Sequence, residues 1–300
     1  MANNQVKTKI KQSKADTIFD IFNIFILSIV LIIVLYPLIY IISASFSDPM
    51  LVLQGKVSLL PKGLTLDAYK MVFKDSKIMT GYKNTLIYTV VGTLCNLIFT
   101  IMCAYPLSRK DLAFRQQITF FISFTMFFSG GMIPSYLVIR KLGLINNFWV
   151  MILPGLISVW NMLIMKNYFQ SSIPYELQEA AKIDGCSNIG ILWRIVRPLS
   201  VPIIAVMVMY YGVGHWNAYF NALIYLTDEK KYPLQLILRG ILVQSNTNDM
   251  TGDSTMVQQQ LLAESIKYAV IIVSSIPVLI LYPLLQKYFV KGVMVGAIKG

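Results

Sequence analysis

The chain has 300 residues, of which 56% are hydrophobic and 13% charged, and its mean hydropathy is +0.63. That leaves too little polar surface for a soluble globular protein and places the chain in a membrane. The net charge of +12 is scattered over connecting segments without a basic helix or aromatic platform, which argues against nucleic acid and for a membrane orientation signal.

A helix that crosses a bilayer needs roughly 20 apolar residues, and six runs supply them: 21–44, 86–107, 118–138, 148–169, 201–220 and 268–285. None contains Asp or Glu, and Lys166 is their only Lys. The expected fold class is an all-α membrane protein with six transmembrane helices, built as one domain over 1–300. Lys7, Lys9, Lys11 and Lys14 precede the first run. That run exceeds the roughly 7–15 apolar residues of a cleavable signal and is expected to stay as an anchor. With these lysines inside, 1–20 and the tail 286–300 are cytoplasmic, as is 170–200; the charge bias of the other loops is weak, so the N-terminal cluster carries the orientation.

In chain order, the first outer loop, 45–83, contains Leu-Thr-Leu-Asp-Ala-Tyr, which reads as a short amphipathic helix starting near Thr65 or Asp67. The inner loop Ser-Arg-Lys-Asp-Leu-Ala-Phe-Arg-Gln-Gln is short, so the second and third spans should be antiparallel neighbours. The third run holds Gly130-Gly131 and Pro134, a break that serves either as an ordinary kink or as a hinge lining a pathway. The last outer loop, 221–267, is polar at its centre and is either a disordered tip or a docking surface. Cys95 and Cys103 share one run and Cys186 lies on the inner side, so neither an external disulfide nor a metal site is indicated.

What is missing also constrains function. A carrier driven by protons or ions needs ionisable groups at mid-membrane, and the cores of the runs hold no acidic residue and offer only His215, which reads as packing or interfacial. There is no G-x-x-x-x-G-K-[ST] phosphate loop, no nucleophile elbow and no H-E-x-x-H. Energy for any transport must come from another chain.

Between the fourth and fifth runs lies Ile-Pro-Tyr-Glu-Leu-Gln-Glu-Ala-Ala-Lys-Ile-Asp-Gly, 173–185, followed by a second helical segment to Pro198. Pro174 suits a first helical turn, and Glu176 and Glu179 favour the helix N-terminus. Gly185 suits a left-handed turn, after which Ile189, Leu192, Trp193 and Val196 recur at helical spacing until Pro198 ends the run. The residues alone fit a solvated amphipathic loop or an elbow that docks a partner.

The stretch Glu179-Ala180-Ala181, Gly185, Ile195 and Pro198 resembles the Glu-Ala-Ala-x3-Gly-x9-Ile-x-Leu-Pro loop of permease subunits in binding-protein-dependent ABC importers, with Arg197 standing where the pattern has Leu. The surrounding sequence, including Gly-Met-Ile-Pro-Ser-Tyr and the terminal Lys-Gly-Val-Met-Val-Gly-Ala-Ile-Lys-Gly, resembles the maltose-type carbohydrate branch over nearly the whole chain. The Gly-Gly-Met-Ile-Pro and Val-Met-Val-Gly-Ala-Ile-Lys-Gly forms are most similar to permeases of polysaccharide-fragment importers. The resemblance implies a type I importer permease of MetI-like fold that is not itself an enzyme. It implies that Glu179 meets a cytoplasmic ATPase dimer, that Ala180 and Ala181 pack closely on it and that Gly185 makes the turn. Asp184, Ile195 and Pro198 belong to the same coupling loop, and Lys299 and Gly300 match a tail that reaches the ATPase. No cofactor is bound directly; ATP and Mg are used by the ATPase. The other implied partners are a second permease subunit forming a heterodimer, an extracytoplasmic solute-binding protein, an oligosaccharide and membrane lipid.

A sugar path needs aromatic faces and amide or hydroxyl groups, which Trp160, Asn161, Tyr210, Tyr211, Trp216, Asn217 and Asn221 supply. An aromatic belt at the membrane interface explains the same residues. A non-transporting scaffold or receptor subunit that uses the elbow for docking is the alternative function, and uptake dependent on the chain separates the two.

Overall fold

The computed structural model describes residues 13–247 and 266–286. Among these, every regular element is helical. The helices are α1 (Lys14–Ser45), α2 (Pro49–Leu53), α3 (Asp67–Lys74), α4 (Ser76–Ser108), α5 (Arg115–Phe124), α6 (Met132–Lys141), α7 (Val159–Ser172) and α8 (Tyr175–Ile183). They continue with α9 (Asn188–Ile191), α10 (Arg197–Leu199), α11 (Val201–Trp216), α12 (Phe220–Tyr225), α13 (Leu234–Thr247) and α14 (Ile266–Gln286). In an apolar solvent the backbone must satisfy itself, and helices are how this chain does so.

Three helices, α1, α4 and α14, are each long and apolar enough to cross a membrane alone. Two further helix pairs are long and apolar enough only when each pair is taken together, and both are bent. The fourth expected span enters through 3-10 turns at Phe148–Met151 and Leu153–Gly155 and meets α7 at 53°, while the segment Asn188–Leu199 meets α11 at 83°. Pro154 and Gly155 sit at the first bend and Pro202 just after the second, where missing N–H donors and low steric bulk permit it. The expected third span is divided rather than continuous: α5 ends at Phe124 and α6 begins at Met132, each ten residues long. Gly131 at the junction takes φ +84°, a conformation that continues no helix.

Helix α4 is the hub, with α7, α11 and α13 packed against it. Its inward face is a row of small or polar residues, Thr85, Gly92, Thr93, Asn96 and Thr100, all buried and, apart from the adjacent pair Gly92-Thr93, spaced three, four or seven positions apart. In lipid, such residues let backbones approach and supply hydrogen bonds between helices. One apolar core joins the second half of α4 to α7, α9 and α11 through Met162, Met165, Ile191 and Met207, each fully buried. A second joins the start of α4 to α3, α13 and α14. Helix α3 forms where Leu-Thr-Leu-Asp-Ala-Tyr predicts it, burying Ala68 and Val72. Helix α13, which the sequence reading left inside a polar loop, buries Leu234 and Leu238 against α4 and α14; its apolar residues Leu234, Ile237, Leu238 and Ile241 follow helical spacing.

Candidate functional site

Two features stand out as candidate sites: an elbow between α7 and α11, and a polar knot between α4, α11 and the bend before α7.

The elbow is built locally. Pro174 occupies the N-cap of α8, one position earlier than the first helical turn that the sequence suggested, and Glu176 lies in that turn. At the other end Gly185 takes φ +78°. The Cys186 N–H donates to the Ala181 carbonyl at 2.9 Å and the Gly185 N–H to the Lys182 carbonyl at 3.1 Å. This doubly bonded cap needs a left-handed residue after Asp184, and a Cβ there would meet no neighbour, so backbone conformation alone calls for glycine. Ser187 then caps α9 by accepting from the Gly190 N–H at 3.2 Å.

Pro198 does not end the second segment. Residues Leu192–Val196 widen into a π-helical turn, and the helix runs past Pro198 to Leu199. A proline cannot donate to the preceding turn, and a wider turn absorbs the missing bond. Arg197, the departure from the loop pattern, lies over the Trp193 ring at 4.8 Å and away from the core.

One side of the elbow is anchored and the other is bare. Gln178, Ile191 and Val196 are buried, and Ile195 packs against the same core. Leu177, Ile183, Ile189 and Trp193 are exposed, with Ile183 at 86% of its accessible surface. Glu179, Ala180 and Asp184 lie exposed beside them and Ala181 is half-buried. Four large apolar side chains on a polar-rimmed surface mark an interaction site. Lys299 and Gly300 lie outside the described residues.

The knot lies between the spans. His215 Nε2 is 2.7 Å from Asn96 Oδ1, and Asn96 Nδ2 donates to the carbonyls of Gly155 at 2.7 Å and Leu156 at 2.9 Å. Those two carbonyls sit at the 53° bend, where the helical ladder is interrupted, and Asn96 supplies the donor that lipid cannot. A Cβ on Gly92 would stand 2.5 Å from the His215 ring, so glycine is what lets the imidazole lie flush on α4. Thr100 and Tyr211 hydroxyls pair at 2.7 Å one turn further along.

The pathway candidates divide by this geometry. Tyr211 is tied to Thr100, Trp216 donates from Nε1 to the Ser274 carbonyl at 2.9 Å, and Asn161 is buried. Tyr211 and Trp216 thus bond between helices in this conformation. Trp160 and Tyr210 are exposed, as is Asn217, whose amide donates to Val213 O and whose Oδ1 accepts from Gln235 Nε2 at 3.3 Å; Asn221 is half-buried. The sequence reading missed Asn96 and Gly92, although an Asn one helical turn from Gly92 and Thr100 in an apolar run was the available signal.

A bundle of broken membrane-crossing helices, carrying an exposed elbow on a rigid mount, defines a membrane-embedded transport component. The chain belongs to the binding-protein-dependent transport system inner membrane component family, whose model matches residues 10–295. It is 44% identical to Protein LplC of Bacillus subtilis (strain 168), covering 96% of this chain and 97% of that one. It is 43% identical to the polygalacturonan/rhamnogalacturonan transport system permease protein YtcP of the same organism, over 92% and 96% of the two chains. Its fold matches, with a TM-score of 0.85 and 38% identity, a chain in the crystal structure of a bacterial ABC transporter involved in the import of the acidic polysaccharide alginate, covering 94% of this chain and all of that one.

Proposed function

We propose that the chain is the permease subunit of an ATP-driven oligosaccharide importer, with acidic polysaccharide fragments as the cargo class. Two relatives support the cargo: one is named for polygalacturonan, a uronic-acid polymer, and one for alginate. In this reading a separate ATPase dimer, which binds ATP and Mg, receives the elbow, and a second permease subunit completes the pathway as a heterodimer. An external solute-binding protein delivers the sugar. The N- and C-termini lie on the ATPase side.

The observation that carries the proposal is the bare apolar side of the elbow. Leu177, Ile183, Ile189 and Trp193 are exposed on a segment whose opposite side is locked into the core through Ile191 and Val196. A surface fixed on one side and apolar on the other transmits displacement as a rigid body, which is what alternating access requires. Glu179 stands beside that surface and meets basic groups of the ATPase; Trp160, Tyr210, Asn217 and Asn221 face the cargo.

The test is reconstitution of the chain with its ATPase, second permease and receptor. Glu179→Arg is expected to leave membrane insertion intact while abolishing receptor-stimulated ATP hydrolysis and uptake of oligogalacturonate. Full uptake by this variant with a normally bound ATPase overturns the assignment of the elbow. A scaffold role, the rival reading, predicts ATPase binding without uptake by the unaltered chain.

A further inference from the structure

The elbow helix α8 has few packing contacts with the hub α4, yet a coupling element must move it. What joins them is a polar turn of three residues just after α4. Arg109 is 7% exposed, and each nitrogen of its guanidinium donates once: Nε and Nη2 to the two Asp111 carboxylate oxygens at 2.8 and 2.7 Å, and Nη1 to the Tyr105 hydroxyl at 3.0 Å. The bidentate pairing fixes the turn on α4 as one unit. From that unit two side chains reach α8. Asp111 Oδ2 lies 3.5 Å from the Lys182 ammonium in the last turn of α8, and the Lys110 ammonium sits 4.9 Å over the Tyr175 ring in the first. Nearby, the Gln170 amide donates to the Ser108 carbonyl at 3.4 Å, joining the end of α7 to the same point.

We infer that residues Arg109, Lys110 and Asp111 form a clasp that grips α8 at both ends and passes its displacement to α4, making them positioning residues for coupling. The inference rests on the importer reading above. Arg109 is the rivet: buried and charged, it is paired bidentately with Asp111, which cannot turn away without leaving a buried cation without its carboxylate. Lys182 and Lys110 are the two grips. Each is an exposed contact and weak alone, but they act on opposite ends of a nine-residue helix and together fix its orientation as well as its position. Without them α8 would keep the packing of Ile173, Gln178 and Ala181 and its junction with α9, and the hold on its two ends would be lost.

The experiment uses the complete importer in proteoliposomes and compares the unaltered chain with the double substitution Lys110→Ala, Lys182→Ala, and with Lys110→Arg, Lys182→Arg. Neither lysine lies on the bare apolar side of the elbow. The readouts are retention of the ATPase on purification and the ratio of oligogalacturonate imported to ATP hydrolysed. We expect the alanine pair to retain the ATPase and to hydrolyse ATP while the transport ratio falls at least about fivefold, and the arginine pair, which keeps both charges, to restore most of it. An unchanged ratio in the alanine pair overturns the clasp. Loss of the ATPase from the alanine pair also overturns it, since the lysines would then serve docking. If the unaltered importer itself shows no receptor-stimulated hydrolysis, the functional reading fails first and the clasp falls with it.

Discussion

Helices α1 and α4 are nearly the same length, 32 and 33 residues, and both are apolar enough to cross a membrane, yet they do opposite work. The apolar stretch of α1 has no buried residue; at the C-terminal end of the helix Ser43 donates to the Leu59 carbonyl at 2.7 Å and Ser45 pairs with the Tyr69 hydroxyl at 2.8 Å. α4 is less apolar and far more buried, and it carries the knot, the hub contacts and the clasp. Lipid tails solvate Leu and Ile as well as another helix does, so uniform hydrophobicity gives a helix no reason to leave the lipid. A row of Thr, Gly and Asn gives it one.

The comparison can be broken most directly at Gly92. Gly92→Val drives new atoms into the His215 ring and is expected to cost about 1–3 kcal/mol through overpacking, seen as a lower thermal unfolding midpoint of the purified importer. Asn96→Leu should follow, at about 1–3 kcal/mol, because the carbonyls of Gly155 and Leu156 lose their donor; an additional sign is faster proteolysis near the 53° bend. Equal stability of Asn96→Leu and the unaltered chain would remove the knot as the reason α4 is central. On α1, Leu31→Ala is expected to change the midpoint by no more than about 0.5 kcal/mol, since its side chain is exposed on a helix with no buried neighbour in that stretch. A large loss there would place a partner on α1.

The clasp sharpens the same contrast through pH. The Arg109 guanidinium beside Asp111 holds its carboxyl well below the usual carboxylate range, with a smaller contribution from Lys182. A depressed folded pKa means that the ion pair's contribution is complete above the unfolded value of about 3.9 and is lost only as pH falls below it towards the folded value. The transport ratio should therefore hold flat from about pH 5 to 8 as far as Asp111 is concerned, and Asp111→Asn should lower it across that whole range. A titration of the ratio near neutrality that disappears in Asp111→Asn would contradict this.

Much of this was legible in the chain. Five of the six apolar runs coincide with helices or bent helix pairs, and the sixth is split where Gly130-Gly131 offered a break. The elbow was readable because a helix cap is a local device: Gly185 follows α8 at the position where only a left-handed residue closes the turn. His215, which read as packing or interfacial, is hydrogen-bonded within the bundle, and its partner Asn96 lies 119 positions earlier. Trp216 and Tyr211, named for the chemistry of a sugar path, bond between helices in this conformation, and Asn161 is buried.

By itself, then, the sequence determined what depends on neighbours along the chain and on the surrounding solvent: the membrane location, the helical class, the breaks and the elbow. Hydropathy and turn chemistry act within a few residues, so they need no knowledge of the rest of the fold. Only the tertiary structure decided that α4 and not α1 is the hub, that Asn96 closes the bend beside α7, and that Arg109, Lys110 and Asp111 reach α8. Those outcomes depend on which polar groups meet across separate helices, and a hydrogen bond or ion pair is set by distance and angle in space.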